Sequence, residues 1–208
     1  DRNIAERKAL CERYDEALAV LAEAQTAMGG ADPQIDRLII SIRVAQLDLA
    51  IKALEAAGNT ADAQTKREEK SAFLFQNAED MVRRYPNDLQ FKYDLAVLLY
   101  ERGQINEAIQ QLQRAQQNPQ RRIRSLYYLA LCFKQKEQYD IAAEQLEKAA
   151  AELHLMDDTK KDILYELGTI REAMGQPERA VEHYKEIYAV DIGYRDISAK
   201  IEKAYKKA

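Results

Sequence analysis

The stretch YDLAVLLYERGQINEAIQQL at residues 93–112 decides the reading of this chain, because its pattern returns twice. YYLALCFKQKEQYDIAAEQL at 127–146 follows 34 residues later, and YELGTIREAMGQPERAVEHY at 165–184 a further 38. Leu95-Ala96 and Leu99, then Ala108 and Leu112, are answered first by Leu129-Ala130 and Phe133, then Ala142 and Leu146. Leu167-Gly168, Ala180 and Tyr184 answer them a second time. Apolar residues three or four apart form one face of a helix, and a period of this length marks stacked helical units. Ala96, Ala130 and Gly168 are small where the two helices of a unit would approach most closely. Ala108, Ala142 and Ala180 are small where the second helix would meet its neighbours; larger side chains there would cost about 1–3 kcal/mol each.

The punctuation agrees with that frame. Gly103 and Gly175 stand where a helix ends in a left-handed residue, and Pro177 suits the first turn of the following helix. Glu137 holds the corresponding place in the middle copy, so the sequence predicts mild strain or a different loop there.

This pattern resembles the tetratricopeptide repeat of bacterial-type proteins, with its 34-residue period, large-small pair in the first helix and Ala-x3-aromatic in the second. The resemblance implies an all-α, right-handed α-α solenoid of helical hairpins. It is strong over 89–190 and fair over 3–28, where Arg13-Tyr14-Asp15-Glu16-Ala17-Leu18 and Leu21 repeat the second-helix signature after Ile4-Ala5. The family's aromatic near the start of the first helix is replaced by Lys92, Leu126 and Leu164.

We read residues 1–208 as a single superhelical domain. It comprises a partial first repeat (1–30), a long helical hairpin (33–85), repeats at 89–119, 122–151 and 159–190, and a capping helix at 193–208. The long hairpin departs from the repeat frame and turns at Gly58-Asn59. Ile35, Leu38, Ile39, Ile42 and Leu49 form one apolar stripe on its first helix, and Ile40, Val44, Leu47, Ile51 and Leu54 a second, which predicts burial on two sides. Helices of that length extend about 37 Å, and their tip is expected to project beyond the stack. The run Lys66-Arg67-Glu68-Glu69-Lys70 reads as a solvated face or as a docking or dimerisation arm. In the cap, Ile197, Ile201 and Tyr205 form the apolar side, with Lys200, Lys203, Lys206 and Lys207 at or near the other.

Composition narrows function. A 47% hydrophobic chain of 208 residues has ample core, and a net charge of −4 offers no general attraction to nucleic acid. The basic cluster Arg121, Arg122 and Arg124 after Asn118-Pro119 reads as a solvated turn or, less simply, an anion site. Apolar runs such as Leu95–Tyr100 are far short of the ~20 residues that span a bilayer, so membrane insertion is not expected. Cys11 and Cys132 lack close-set partners for zinc or redox chemistry and read as small buried hydrophobes. That favours the cytoplasm, with the periplasm as the alternative if a leader has been removed. The start at Asp1 without a Met suggests an excised segment.

No catalytic, cofactor or metal constellation emerges. His154 and His183 have no spaced Cys, Ser or Asp partners, and no phosphate loop or HExxH is present. The chain therefore reads as a non-enzyme that binds a protein or peptide. A homotypic assembly unit, using the long hairpin or the same face, is the alternative.

The resemblance implies that partners lie along the concave surface made by first helices. Carried onto this sequence, that surface holds Tyr93, Val97 and Tyr100 in one repeat, Tyr127, Leu131 and Lys134 in the next, and Tyr165, Thr169 and Glu172 in the third. Tyr93, Tyr127 and Tyr165 form either a binding ladder or packing between first helices. The polar residues with which some relatives hold a chaperone's terminal carboxylate are replaced here by Tyr93, Val97, Tyr127 and Leu131.

Overall fold

The computed structural model describes residues 2–10, 13–30 and 32–207. Among these, every regular element is a helix: α1 (Arg2–Leu10), α2 (Tyr14–Ala27), α3 (Pro33–Ala56), α4 (Thr60–Arg84), α5 (Leu89–Glu101), α6 (Ile105–Ala115), α7 (Arg122–Gln135), α8 (Tyr139–Glu152), α9 (Asp158–Ala173), α10 (Pro177–Tyr188) and α11 (Ile197–Lys207). The chain divides into two compact units, Asp1–Asn87 and Asp88–Ala208.

In the first unit α1 packs on α2, and α3 on α4. Ala5, Ala17, Leu21, Ala24, Ile35 and Ile42 form its buried cluster. Asp32 caps α3 by accepting from the amides of Gln34 and Ile35 (2.8 and 2.9 Å). α2 runs beside α3 from Gln46, which donates to Asp15 (3.2 Å), to Asp36, which accepts from Gln25 (2.7 Å). The distal part of the hairpin is tied by Lys70–Asp48 at 2.6 Å and by Arg67–Glu55. The charged run 66–70 is thus partly consumed within its own hairpin.

One expectation for this hairpin changes. Leu49 stands 40% exposed, so the first stripe stops short of it. Asp36, inside the apolar series, is buried, and is satisfied by Gln25, by the Tyr85 hydroxyl (2.5 Å) and by Arg84 (3.0 Å). Burial, then the bond to Asp36, pushes the Tyr85 phenol up to about 12.

The second unit stacks α5–α6, α7–α8 and α9–α10 as antiparallel pairs, with α11 closing on α10. Ala96, Ala130, Ala108, Ala142 and Ala180 are fully buried, at the places where the repeat frame demands small residues. Gly168 shows the demand most sharply: a Cβ there would lie 2.7 Å from Cζ and 2.9 Å from Cδ1 of the Tyr184 ring. The bulkier second-helix residue of the third repeat is therefore accommodated by a smaller first-helix partner.

The three hairpin turns share one geometry. Gly103, Glu137 and Gly175 take φ of 74, 58 and 71°. In each turn that residue and the next return amides to the end of the first helix, as in Gln138 N to Phe133 O (2.9 Å) and Gln104 N to Leu99 O (2.9 Å). Glu137 thus accepts the left-handed conformation, costing roughly 1–2 kcal/mol, in place of a different loop.

The cap uses Ile197 and Ile201 against Leu164, Ala180, Tyr184 and Ile187. Tyr205 does not join them: it is 68% exposed, with Lys185 over its ring. Lys200 is not on a solvent side either, since it lies over the Tyr184 ring and pairs with Glu172. α11 is one turn shorter in its apolar contact than the sequence pattern promised.

Candidate partner-binding face

Helices α5, α7 and α9 present the nine residues that the repeat frame selects. Eight are half-buried and Glu172 is exposed. The three tyrosines do not form one continuous row. Tyr93 and Tyr127 are joined through Tyr128, which the frame did not select. Its ring lies 6.2 Å from Tyr93, 5.6 Å from Tyr100 and 5.8 Å from Tyr127, each edge to face. One residue beyond Tyr127 is about 100° around the helix, which turns Tyr128 toward α5. The signal was available, since the same place in the other copies holds Asp94 and Glu166.

Arg121 and Arg124, at the start of α7, belong to this cluster and not to a solvated turn. Arg121 lies 5.2 Å from the Tyr93 ring centre and donates to Gln90 Oε1 (2.6 Å). Arg124 lies 5.1 and 5.6 Å from the rings of Tyr127 and Tyr128, with the Tyr93 phenol as a further electrostatic neighbour. Arg122 points elsewhere, to Glu152 at 2.8 Å. Burial raises the Tyr93 phenol while Arg124 pulls it the other way.

Around α9 the same face is acidic and closed. The Tyr165 hydroxyl donates to Asp196 (2.7 Å), and its ring meets Tyr184 and Tyr194 at 6.0 Å. Arg195 lies 4.6 Å over Tyr165 and pairs with Asp162 at 2.6 Å and Glu166 at 3.5 Å. Tyr194 donates to Asp162 (2.5 Å), Lys134 pairs with Glu166 (2.7 Å) and reaches Thr169 (3.0 Å), and Lys200 pairs with Glu172 (2.7 Å). Burial, then the bond to Asp196, pushes the Tyr165 phenol up to about 12.

Among the described residues no three His, Cys, Asp or Glu side chains converge to hold a metal ion, and no helix is long and apolar enough to cross a membrane. His154 is exposed. His183 is half-buried, and desolvation lowers its imidazole. Cys132 is buried with its thiol pushed up to about 11 by that burial, the opposite of an activated nucleophile. Cys11 lies outside the described residues.

Residues 95–205, just over half of the chain, match the profile of the family described as Suppressor of spindle checkpoint defect 1 C-terminal domain. The chain belongs to that family. The stretch shared with the Suppressor of spindle checkpoint defect 1 C-terminal domain family falls wholly within the second unit and takes in α6–α10 and most of α5 and α11, and so nearly the whole face described above.

Solved structures give the fold a second name, the tetratricopeptide repeat. YrrB, described as a TPR protein with an unusual peptide-binding site, is 16% identical with a TM-score of 0.65, covering 99% of this chain and 90% of its own. A MamA fragment from Desulfovibrio magneticus RS-1 is 19% identical, TM-score 0.61, covering 93% and 94%. TTC0263, a thermophilic TPR protein of Thermus thermophilus, is 18% identical, TM-score 0.53, covering 98% and 96%. No curated protein sequence matches the chain. The helical hairpins of this chain therefore have the tetratricopeptide-repeat fold.

Proposed function

We propose that this chain is a non-catalytic protein-interaction scaffold, and that a peptide or protein partner lies across the first helices of the second unit, centred on α5 and α7. The observation that carries this reading is the half-buried aromatic cluster of Tyr93, Tyr100, Tyr127 and Tyr128. Tyrosines offer rigid apolar area and a hydroxyl at low entropic cost, the composition of binding hot spots. YrrB, a protein of the same fold, is described as having a peptide-binding site. The α9 part of the face supports this role less well, because its polar groups already bond one another.

Placing a photo-crosslinking amino acid at Val97 or Leu131, and for contrast at Glu107 or Lys148 on second helices, tests the reading in cells. Adducts to another protein from the first two positions and not from the others are expected. Adducts only from the second helices would sink the face, and adducts only between copies of this chain would replace it with homotypic assembly.

A further inference from the structure

The cations of the first-helix face differ in what neutralises them. Lys134, Arg195 and Lys200 each pair with a carboxylate at 2.6–2.7 Å. Arg121 instead bonds an amide oxygen, and both Arg121 and Arg124 lie over tyrosine rings. A ring face attracts a guanidinium but leaves its charge intact, and the fork of N–H donors remains suited to a carboxylate. The start of α7 adds to the imbalance. Asp88 and Asp157 cap α5 and α9, whereas Arg121 is the N-cap of α7 and makes no side-chain cap bond. Positive side chains therefore stand at the positive end of a helix. Val97 and Leu131, both half-buried, continue the same face with apolar surface.

We infer that the α5–α7 platform takes an acidic peptide segment, its Asp or Glu side chains meeting Arg121 and Arg124 and its neighbouring apolar or aromatic side chains lying on Tyr93, Tyr127 and Tyr128. This rests on the partner-binding reading above and adds the partner's chemistry. Two guanidiniums three residues apart at the start of one helix call for more than one carboxylate, so side chains within a segment suit them better than one chain terminus. The chain's net charge of −4 argues against a polyanion as general as nucleic acid.

The test uses the full chain and a set of amidated, fluorescein-labelled decapeptides carrying Asp or Glu pairs among Leu, Phe and Tyr, each beside its Asn or Gln isostere. Acidic members should bind at least tenfold more tightly than their isosteres. Binding should weaken several-fold as ionic strength rises from about 0.05 to about 0.3 M, and the preference should vanish in R121Q/R124Q. R124Q alone, with an unchanged helical circular-dichroism signal, should lose part of it. Four outcomes overturn the inference. Equal binding of the isosteres would leave a face that binds peptides without reading acid, and the partner-binding reading would survive. An acid preference untouched in R121Q/R124Q would place the charge readout elsewhere. A neutral peptide with a free C-terminus matching the acidic ones would assign the arginines to a chain terminus, and a single-stranded oligonucleotide of equal charge binding as tightly, through the same arginines, would make this a polyanion surface.

Discussion

The α5–α7 and α9–α11 parts of one face carry the same tyrosine in the same repeat position and treat it differently. Three residues before that tyrosine stand Gln90, Arg124 and Asp162, and one residue after it Asp94, Tyr128 and Glu166. Around α9 both flanking positions are acidic, and the cations Lys134, Arg195 and Lys200 come in from both sides to close the network. At α7 the flanks are an arginine and a tyrosine, which stack and leave charge unspent. Repeat position thus fixes where a side chain stands, and its flanking residues decide whether it is sealed or left open to a partner.

The sealed part should break first and hardest at Gly168. Its Cβ-free surface lets the Tyr184 ring lie against α9, and that ring in turn meets Tyr165 on the face. Gly168→Ala should lower the stability of the second unit by about 3 kcal/mol through overpacking. Adding Tyr184→Leu recreates the small-large pair of Ala130 and Leu146 and should recover much of that loss. Urea titration of the two singles and the double measures the coupling. If Gly168→Ala alone unfolds at an unchanged urea concentration, the close approach of α9 to α10 is not what holds the sealed part.

A gentler change separates the two parts by their roles. Asp162→Asn weakens the acceptor shared by Tyr194 and Arg195. It should cost about 1 kcal/mol, because the pair is partly solvent-exposed, and should leave partner capture at Val97 and Leu131 unchanged. Arg124→Gln should do the converse. Loss of capture in Asp162→Asn without loss of stability would erase the distinction drawn between them.

How much of this was legible follows from the range over which each feature is determined. Helices, turns and small-residue contacts depend on neighbours within a hairpin, so Ala96, Gly103, Gly168 and the left-handed Glu137 could be located from the repeat alone. The ladder could not be resolved that way. Its contacts join residues about one repeat apart, such as Tyr165 with Asp196 and Arg121 with Gln90, and they depend on the rotation of one helix against the next. Tyr128 and the arginines were visible as departures from the other copies, yet a departure does not state its partner. Asp36 was hidden for a related reason: it sits within an apolar series, and the groups that satisfy it lie 11 and 49 residues away. Tyr205 failed in the opposite sense, since helical spacing placed it on the cap's apolar side although the core ends at Ile201.

The smallest expected effect concerns pH and sets Tyr165 against Tyr93. The Tyr165 phenol is held near 12 by burial and by its bond to Asp196, against an ordinary value of ~10 in an unfolded chain. A raised value favours the protonated form in the folded state. Its contribution is therefore complete below pH ~10 and is lost as pH climbs from ~10 through ~12. Tyr93 also rises through burial, but there Arg124 offsets part of the change. Tyr165→Phe should flatten the alkaline fall in stability relative to the unmodified chain, by on the order of 0.5 kcal/mol once solvent screening is allowed for. Tyr93→Phe should flatten it less. Urea midpoints of the three proteins across the alkaline range measure the difference, and Tyr184 and Tyr194, whose phenols are also raised, remain common to all three. Equal slopes in the two variants would mean that the acid beside Tyr165 and the arginine beside Tyr93 do not distinguish the two parts of the face, and the electrostatic side of the comparison would fall.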